Sequence, residues 1–290
     1  MTRLDVSQIT IVTVAYHSLA VLPTMLASLP RGMPVVIVDN APEPDPRLEA
    51  LADAKGARLI QNEANMGFGA GCNRGAAAVT TPYVMFLNPD AAAQDGCFEA
   101  LLEAAERYPE AAAFNPRTLN GKGDVSFKRR SNLLPKTGRM HGPAPATDTT
   151  VPVLSGAAIF LARNTFDLVG GFDENIFLYY EDDDLSLRLA QFGSLWHIPS
   201  AVVCHNDGHS TERSPSTARF KAYHLARSRV YAQIKHGVLR PRMSVIVRSL
   251  LQLASPLMLN RRKRAKYLGY LAGAFSTIGD DGKSRARSDL

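Results

Sequence analysis

Apolar and polar positions fall into alternating blocks along the first half of the chain. Ile9–Tyr16 (ITIVTVAY), Val35–Asn40 (VVIVDN) and Tyr83–Asp90 (YVMFLNPD) are short apolar runs, rich in β-branched or aromatic residues, that end in polar groups. Arg58–Asn62 (RLIQN) is a further, more polar strand candidate. Between these runs, Leu19, Leu22, Leu26 and Leu29 recur at helical spacing. A polar helix fits Asp45 to Lys55, and a helix of small residues fits Gly69 to Val79. Strand followed by helix, repeated, predicts an α/β fold: a mostly parallel sheet with helices on both faces.

The second half is less regular. Residues 116–150 are rich in Gly, Pro, Lys, Arg and Ser without periodicity, which predicts a mobile loop over or beside a site. Val151–Arg163 returns to strand character. In FLYYEDDDLSLRLAQFG, Leu185, Leu189 and Phe192 lie at i, i+4 and i+7, and Gly193 can end that helix. Ser194–Asn206 reads as two short strands, and the pattern from Ser216 to about Phe275 is helical. Met243–Leu259 comes nearest to a spanning helix, but Arg248 and Pro256 interrupt it. A five-cation cluster, RRKRAK, follows. Two readings fit: a helix lying on an anionic membrane, or one packed on the core with a solvated basic flank.

Charge sharpens this division. Residues 211–290 carry 17 Lys and Arg against 4 Asp and Glu, net +13, whereas residues 1–210 carry 16 against 23, net −7. A mildly acidic body with a basic tail points to an anionic partner. No motif or aromatic interleaving suggests nucleic acid. Cys72, Cys97 and Cys204 share no disulfide-like or metal-ligand spacing, so reduced thiols and a cytoplasmic location are expected. The first residues hold no apolar signal segment before the first strand.

Candidate chemistry collects at strand ends. Tyr16 and His17, Asp39 and Asn40, and Asn88 to Asp90 each follow a strand's C-terminal end, where open α/β sheets place their ligand crevice. Asp90, leaving a buried strand, can hold a divalent metal together with substrate phosphate oxygens. Gly67, Gly69, Gly71 and Gly75 open a helix that phosphate can approach, though no register gives the dinucleotide fingerprint. These glycines also suit tight helix packing. Four acids, Glu181 to Asp184, share the first turn of a helix. The helix N-terminus accounts for one or two of them, and Asp184 can pair with Arg188 at i+4. One of the others can face the crevice as a general base. His205 or His209 can complete a metal site with Asp90 or contact a diphosphate.

In order and spacing, TVAYHS, VVIVDN, NMGFGAGCNRG, FLNPD, GGFDENIFLYYEDDDLSLR and HNDGHS resemble family 2 inverting glycosyltransferases of the bacterial rhamnosyltransferase-like branch. The resemblance covers about residues 8 to 210. It implies a GT-A, Rossmann-like fold followed by a C-terminal helical extension. Residues 1–115 would form the nucleotide-sugar half, residues 116–210 the acceptor-binding and catalytic half, and residues 211–290 the extension. It further implies that Thr13, Ala15 and Tyr16 line the nucleotide pocket and that Asp39 and Asn40 contact the base. Asn65, Gly67, Asn73 and Arg74 would sit on the nucleotide-sugar. Asn88 and Asp90 match the D-x-D position, with Asn in place of the first acid. Asp90 and His205 would hold Mn²⁺ or Mg²⁺, and Asp182, preceded by Glu181, would be the catalytic base. Asp183 receives no role.

The activity so implied is transfer of a sugar, with rhamnose first, from a nucleoside diphosphate to a saccharide or lipid-linked acceptor at the inner face of the plasma membrane. Two rivals stand beside it. A sugar nucleotidyltransferase needs a basic, Gly-rich loop after the first strand, and TVAYHSLAVLP has neither Gly nor Lys. A non-catalytic, membrane-docked scaffold would keep the fold without turnover.

Overall fold

The computed structural model describes residues 5–205 and 214–280. In chain order the first half contains β1 (Ile9–Ala15), α1 (Leu22–Ala27), β2 (Val35–Asp39), α2 (Pro46–Lys55), β3 (Arg58–Gln61), α3 (Phe68–Ala76) and β4 (Tyr83–Leu87). Then come β5 (Ala91–Ala93), α4 (Cys97–Arg107), β6 (Ala111–Leu119), β7 (Val125–Ser126) and β8 (Thr149–Thr150). The remainder is β9 (Ala158–Ala162), α5 (Arg163–Leu168), α6 (Glu181–Leu189), β10 (Ser194–His205), α7 (Pro215–Lys235), α8 (Pro241–Leu253) and α9 (Arg261–Ser276).

All ten strands join one sheet, with the main order β3-β2-β1-β4-β9-β6-β10-β5. The first four are parallel, as their helical crossovers require. Beyond β4 the sheet is mixed: β9 runs antiparallel to β4 and β6, whereas β10 runs parallel to β6. β5 follows β4 almost at once in sequence yet pairs with β10 at the far end of the order. That return brings the exits of β4 and β10 together.

Burial on β1 follows the two-residue period of a strand. Ile9, Ile11 and Ala15 pack into one apolar layer with α1, α2 and α4. Val12 and Val14 pack into the opposite layer with α3 and α6. Gly71 and Gly75 on α3 serve this second layer, since a Cβ at either would press within 3.0 Å of Val14 or Val12.

Two sequence expectations change. β6 crosses the boundary expected at 115/116, so the segment expected as a loop begins inside a central strand, and residues 125–126 and 149–150 pair on the sheet. Ser194–His205 is a single strand of 12 residues, with its register shifted against β6 between Ile198 and Val202, on either side of Pro199. The C-terminal pattern is helical as expected: α7 packs on the body through Ala232 beside Leu133, Ile176 and Tyr180, and α8 and α9 pack on α7. α9 lies against α7 through Gly269 and Gly273, where a Cβ would fall 2.3 and 2.2 Å from the carbonyl oxygens of Arg219 and Tyr223.

Candidate active site

The strand exits and the start of α6 open on one cleft of about 780 Å³. Asn88 and Asp90 enter it from the end of β4, His205 from the end of β10, and Glu181, Asp182 and Asp183 from the first turn of α6. Tyr16, Asn40, Asn65 and Gly67 line the nucleotide-half wall, and Ser216, Thr217, Phe220 and Lys221 of α7 also border the cleft.

Two residues in left-handed backbone, Tyr179 (φ 67°) and Tyr180 (φ 72°), immediately precede α6. Such a conformation is strained for aromatic side chains and persists only where surroundings enforce it. Here Phe177 O accepts from Phe68 N at 3.1 Å, and Leu178 O accepts from the Ser228 hydroxyl at 2.9 Å. Gly67 (φ 87°) makes the first contact feasible, because a Cβ there would lie 2.3 Å from Phe177 O.

The four acids of α6 have four different environments. Asp184 is fully buried. Arg188 donates to its Oδ2 at 2.8 Å, and Lys235 and His236 of the α7 end lie 2.8 Å from its Oδ1. Burial alone would raise its pKa, but these partners outweigh it and hold the carboxyl below its usual range. The predicted Arg188 pair is therefore present, and it is part of a structural knot. Lys235 also donates to Asp173, whose carboxyl is held at about 2 by Lys235, Asn175 and Tyr231 against the effect of burial.

Asp182 accepts at Oδ2 from Lys128 Nζ at 2.7 Å and from Gly156 N at 2.8 Å, and at Oδ1 from Asp183 N at 2.9 Å. Lys128 also donates to Asp183 at 3.1 Å. Burial acts against the Lys128 charge, but the two aspartates raise its pKa overall. Burial and the Asp182 charge raise the Asp183 carboxyl. Glu181 is buried with Oε2 unpartnered among the described residues. Burial first and Asp182 second push its pKa up to about 8, so it is largely protonated at neutral pH.

At the other end of the cleft, Asp90 Oδ1 lies 3.1 Å from His205 Nε2, and Asn88 Nδ2 lies 3.4 Å from the same nitrogen. Among the described residues no group of three or more His, Cys, Asp or Glu is arranged to hold a metal. Asp90 and His205 offer one carboxylate and one imidazole, both turned to the cleft.

Several expected site residues stand elsewhere. Thr13 and Ala15 are buried in β1, and neither lines the cleft, because Val14 between them takes the cleft-facing side. Asp39 is buried behind the wall and accepts from Ala41 N at 3.0 Å, and burial raises its carboxyl. Asn40 lines the cleft while its amide ties Asn62, Asn65, Met66 and Gly67 together. Asn73 bonds the Phe172 backbone through both amide atoms, fastening α3 to the Gly171–Phe172 turn, and Arg74 is exposed. Small-residue packing, the other reading of that glycine stretch, describes this part of α3. His209 lies outside the described residues.

Lys128, Gly156 and Asn115 were not singled out from the sequence. Asn115 accepts from Ser155 N at 2.6 Å and donates to Ser155 O and Ala158 O, shaping the turn that presents Gly156 N to Asp182. The polar break Asn115–Pro116 in an otherwise apolar run was the available signal.

With this geometry in place, the similarities are specific. The sequence matches the model of Glycosyl transferase family 2 over residues 10–167. It is 31% identical to an N-acetylglucosaminyl-diphospho-decaprenol L-rhamnosyltransferase of Mycobacterium tuberculosis, over 91% of this chain and 97% of that relative. A mannosyltransferase from Pyrobaculum calidifontis, in complex with GDP-Man and Mn²⁺, superposes with a TM-score of 0.57 at 17% identity, over 94% of this chain and 87% of that one. GalNAc-T7 with UDP, GalNAc and Mn²⁺ gives 0.58 at 13% identity, covering 97% of this chain, which spans 58% of that one. At these identities the two structures speak for the fold, that of the GT-A glycosyltransferases.

Proposed function

The chain belongs to glycosyl transferase family 2 and is a glycosyltransferase, and from that premise we propose that it transfers rhamnose, with inversion, from a nucleoside-diphosphate donor to a hydroxyl of a lipid-linked saccharide. The observation that carries this reading is the sharing of one cleft by Asp182 and Asp90. The named M. tuberculosis relative supports rhamnose as the sugar and a diphospho-polyprenol acceptor as the class.

Asp182 is the proposed general base. A carboxylate offers about four lone-pair positions, and three are taken by Lys128, Gly156 N and Asp183 N. The remaining position accepts the proton of the acceptor hydroxyl as its oxygen attacks the anomeric carbon. The new C–O bond forms on the face opposite the diphosphate, and the electron pair of the breaking bond leaves with the nucleoside diphosphate. A single displacement inverts the centre and needs one base. Glu181, largely protonated at neutral pH, adds little negative charge to that of Asp182 and Asp183.

Asp90 and His205, a carboxylate and an imidazole 3.1 Å apart at the cleft, would be the protein's ligands to a Mn²⁺ or Mg²⁺ ion, a hard cation that would also take substrate phosphate oxygens. When bound, that ion supplies positive charge against the leaving diphosphate. Asn40, Asn65 and Gly67 are the proposed donor-side contacts from the nucleotide half. Thr13, Ala15 and Asp39 support the wall from behind, Asn73 ties α3 to the Phe172 turn, and Arg74 is exposed.

The test is a thermal-shift screen of nucleoside diphosphates with and without Mn²⁺, followed by transfer to a diphospho-polyprenol saccharide and assignment of the product anomer. A metal-dependent shift with a thymidine or other single preferred base, and an inverted product, is expected. Retention of configuration, or no nucleoside diphosphate released from any donor, overturns the reading and favours the scaffold.

A further inference from the structure

Helix α8 is apolar on two sides and covered on one. Val245 and Ser249 are fully buried, Val245 in the cluster shared with Ala222, Ala226, Val230, Tyr270 and Ala274. Met243, Val247, Leu250 and Leu251 follow one another at i, i+4, i+7 and i+8, and all are exposed, Leu251 at 71%. The apolar surface continues past the helix to Leu257 and to Leu259, which is 88% exposed. A row of exposed apolar side chains of this length, continued by the turn that follows, marks a face that contacts protein or lipid.

The charges around that surface say what covers it. Residues 237–278 contain eight Lys and Arg and no Asp or Glu. Arg248 stands on α8 itself, and Arg261, Arg262, Lys263, Arg264 and Lys266 are exposed on the first turns of α9, directly after Leu259. Exposed leucines beside cations, without an acid among them, complement a surface that is apolar within and anionic at its face. A second copy of the same face would set cation against cation. No helix among the described residues is long and apolar enough to cross a membrane, so the contact would be with the surface.

The position also has a direction. α9 packs through Gly269 on Arg219 of α7, and the next two residues of α7, Phe220 and Lys221, line the cleft, so the start of α9 lies on the cleft side of the molecule. We infer that the exposed apolar stripe of α8, the Leu257–Leu259 turn and the basic start of α9 form one docking surface for an anionic lipid bilayer, which sets the cleft beside the bilayer face. This inference stands on the C-terminal helices and holds whether or not the cleft transfers a sugar.

The experiment is flotation of the full chain with vesicles of phosphatidylcholine alone or with about one third phosphatidylglycerol. Binding to the anionic vesicles, weakened by salt, is expected. Replacing four cations together (Arg261→Gln, Arg262→Gln, Lys263→Gln and Arg264→Gln) should weaken binding at least about tenfold, since each basic residue near an anionic surface contributes appreciably. Leu251→Ser with Leu259→Ser should remove the binding that persists in high salt. Nucleoside diphosphate binding, read by calorimetry, reports on the cleft independently and should be retained in both variants. No binding of the native chain to anionic vesicles, or equal binding by the native chain and the four-cation variant, overturns the inference. So does a concentration-dependent dimer abolished by the leucine changes, which would mean that a second copy covers the stripe.

Discussion

Lys128 Nζ sits 2.7 Å from Asp182 and 3.1 Å from Asp183, so one cation from the segment after β6 serves two neighbouring carboxylates on α6. Its charge opposes the upward shifts of both Glu181 and Asp183. Lys128→Met therefore leaves the acidic turn without that counter-charge. The acid limb of kcat/KM should move to higher pH, and the pH profile of the variant against the native enzyme measures it. A loss of rate with an unmoved profile would assign Lys128 to substrate contact alone.

Asp182→Asn keeps the shape of the side chain and removes its ability to take a proton. Turnover should fall by roughly 10²- to 10⁴-fold, the usual worth of a general base, while donor affinity in calorimetry is retained. Joint loss of donor binding and activity would count against the assignment.

Asp90→Ala should act on the other end of the cleft. Donor binding should weaken in the presence of Mn²⁺ and change little in its absence, because the carboxylate and His205 are the proposed protein side of the metal site. Calorimetry with and without the ion separates the two cases.

Glu181 predicts a pH dependence of stability. Its pKa is about 8 in the folded chain against an ordinary 4.5, so the folded state holds this proton more tightly. The stability it contributes is present below about 4.5 and is lost as pH rises toward 8. Asp183 shifts in the same direction, while the depressed carboxyls of Asp173 and Asp184 lose their contribution only at lower pH. Glu181→Gln should accordingly lose less Tm between pH 5 and pH 8 than the native chain, read by thermal unfolding at constant ionic strength.

Asp184→Asn should be a stability variant. It leaves Arg188, Lys235 and His236 without their buried counter-charge, and breaking such a network typically costs about 3–5 kcal/mol. Denaturant unfolding should show the loss.

What the sequence made legible follows contact range. The convergence of Asn88, Asp90, Asp182 and His205 on one cleft was readable because each lies at or next to the end of an element with a clear period, and such ends converge in α/β folds. Asn73 and Arg74 misled because a polar pair in a small-residue helix fits ligand contact as well as a tie to Phe172, 99 residues away. Lys128 carried no local mark, since its partners are 54 and 55 residues further along the chain. β6 was overlooked where Asn115, Pro116 and Arg117 interrupt the apolar run, although its neighbours on the sheet hold it as an inner strand. The C-terminal helices were expected either to pack or to meet lipid, and α8 has one buried side, with Val245 and Ser249, and one exposed apolar side, with Met243, Val247, Leu250 and Leu251.

α7 begins at the rim of the catalytic cavity and ends on the buried Asp184, so it acts as a strut between the two. A shortened enzyme stopped near residue 210, where the family resemblance ends, is thus a poor choice for structural work or inhibitor screening. It would lack a wall of the chamber and leave the buried Asp184 with Arg188 alone of its three partners, and ligands selected against it would be fitted to a shape that the intact enzyme does not have.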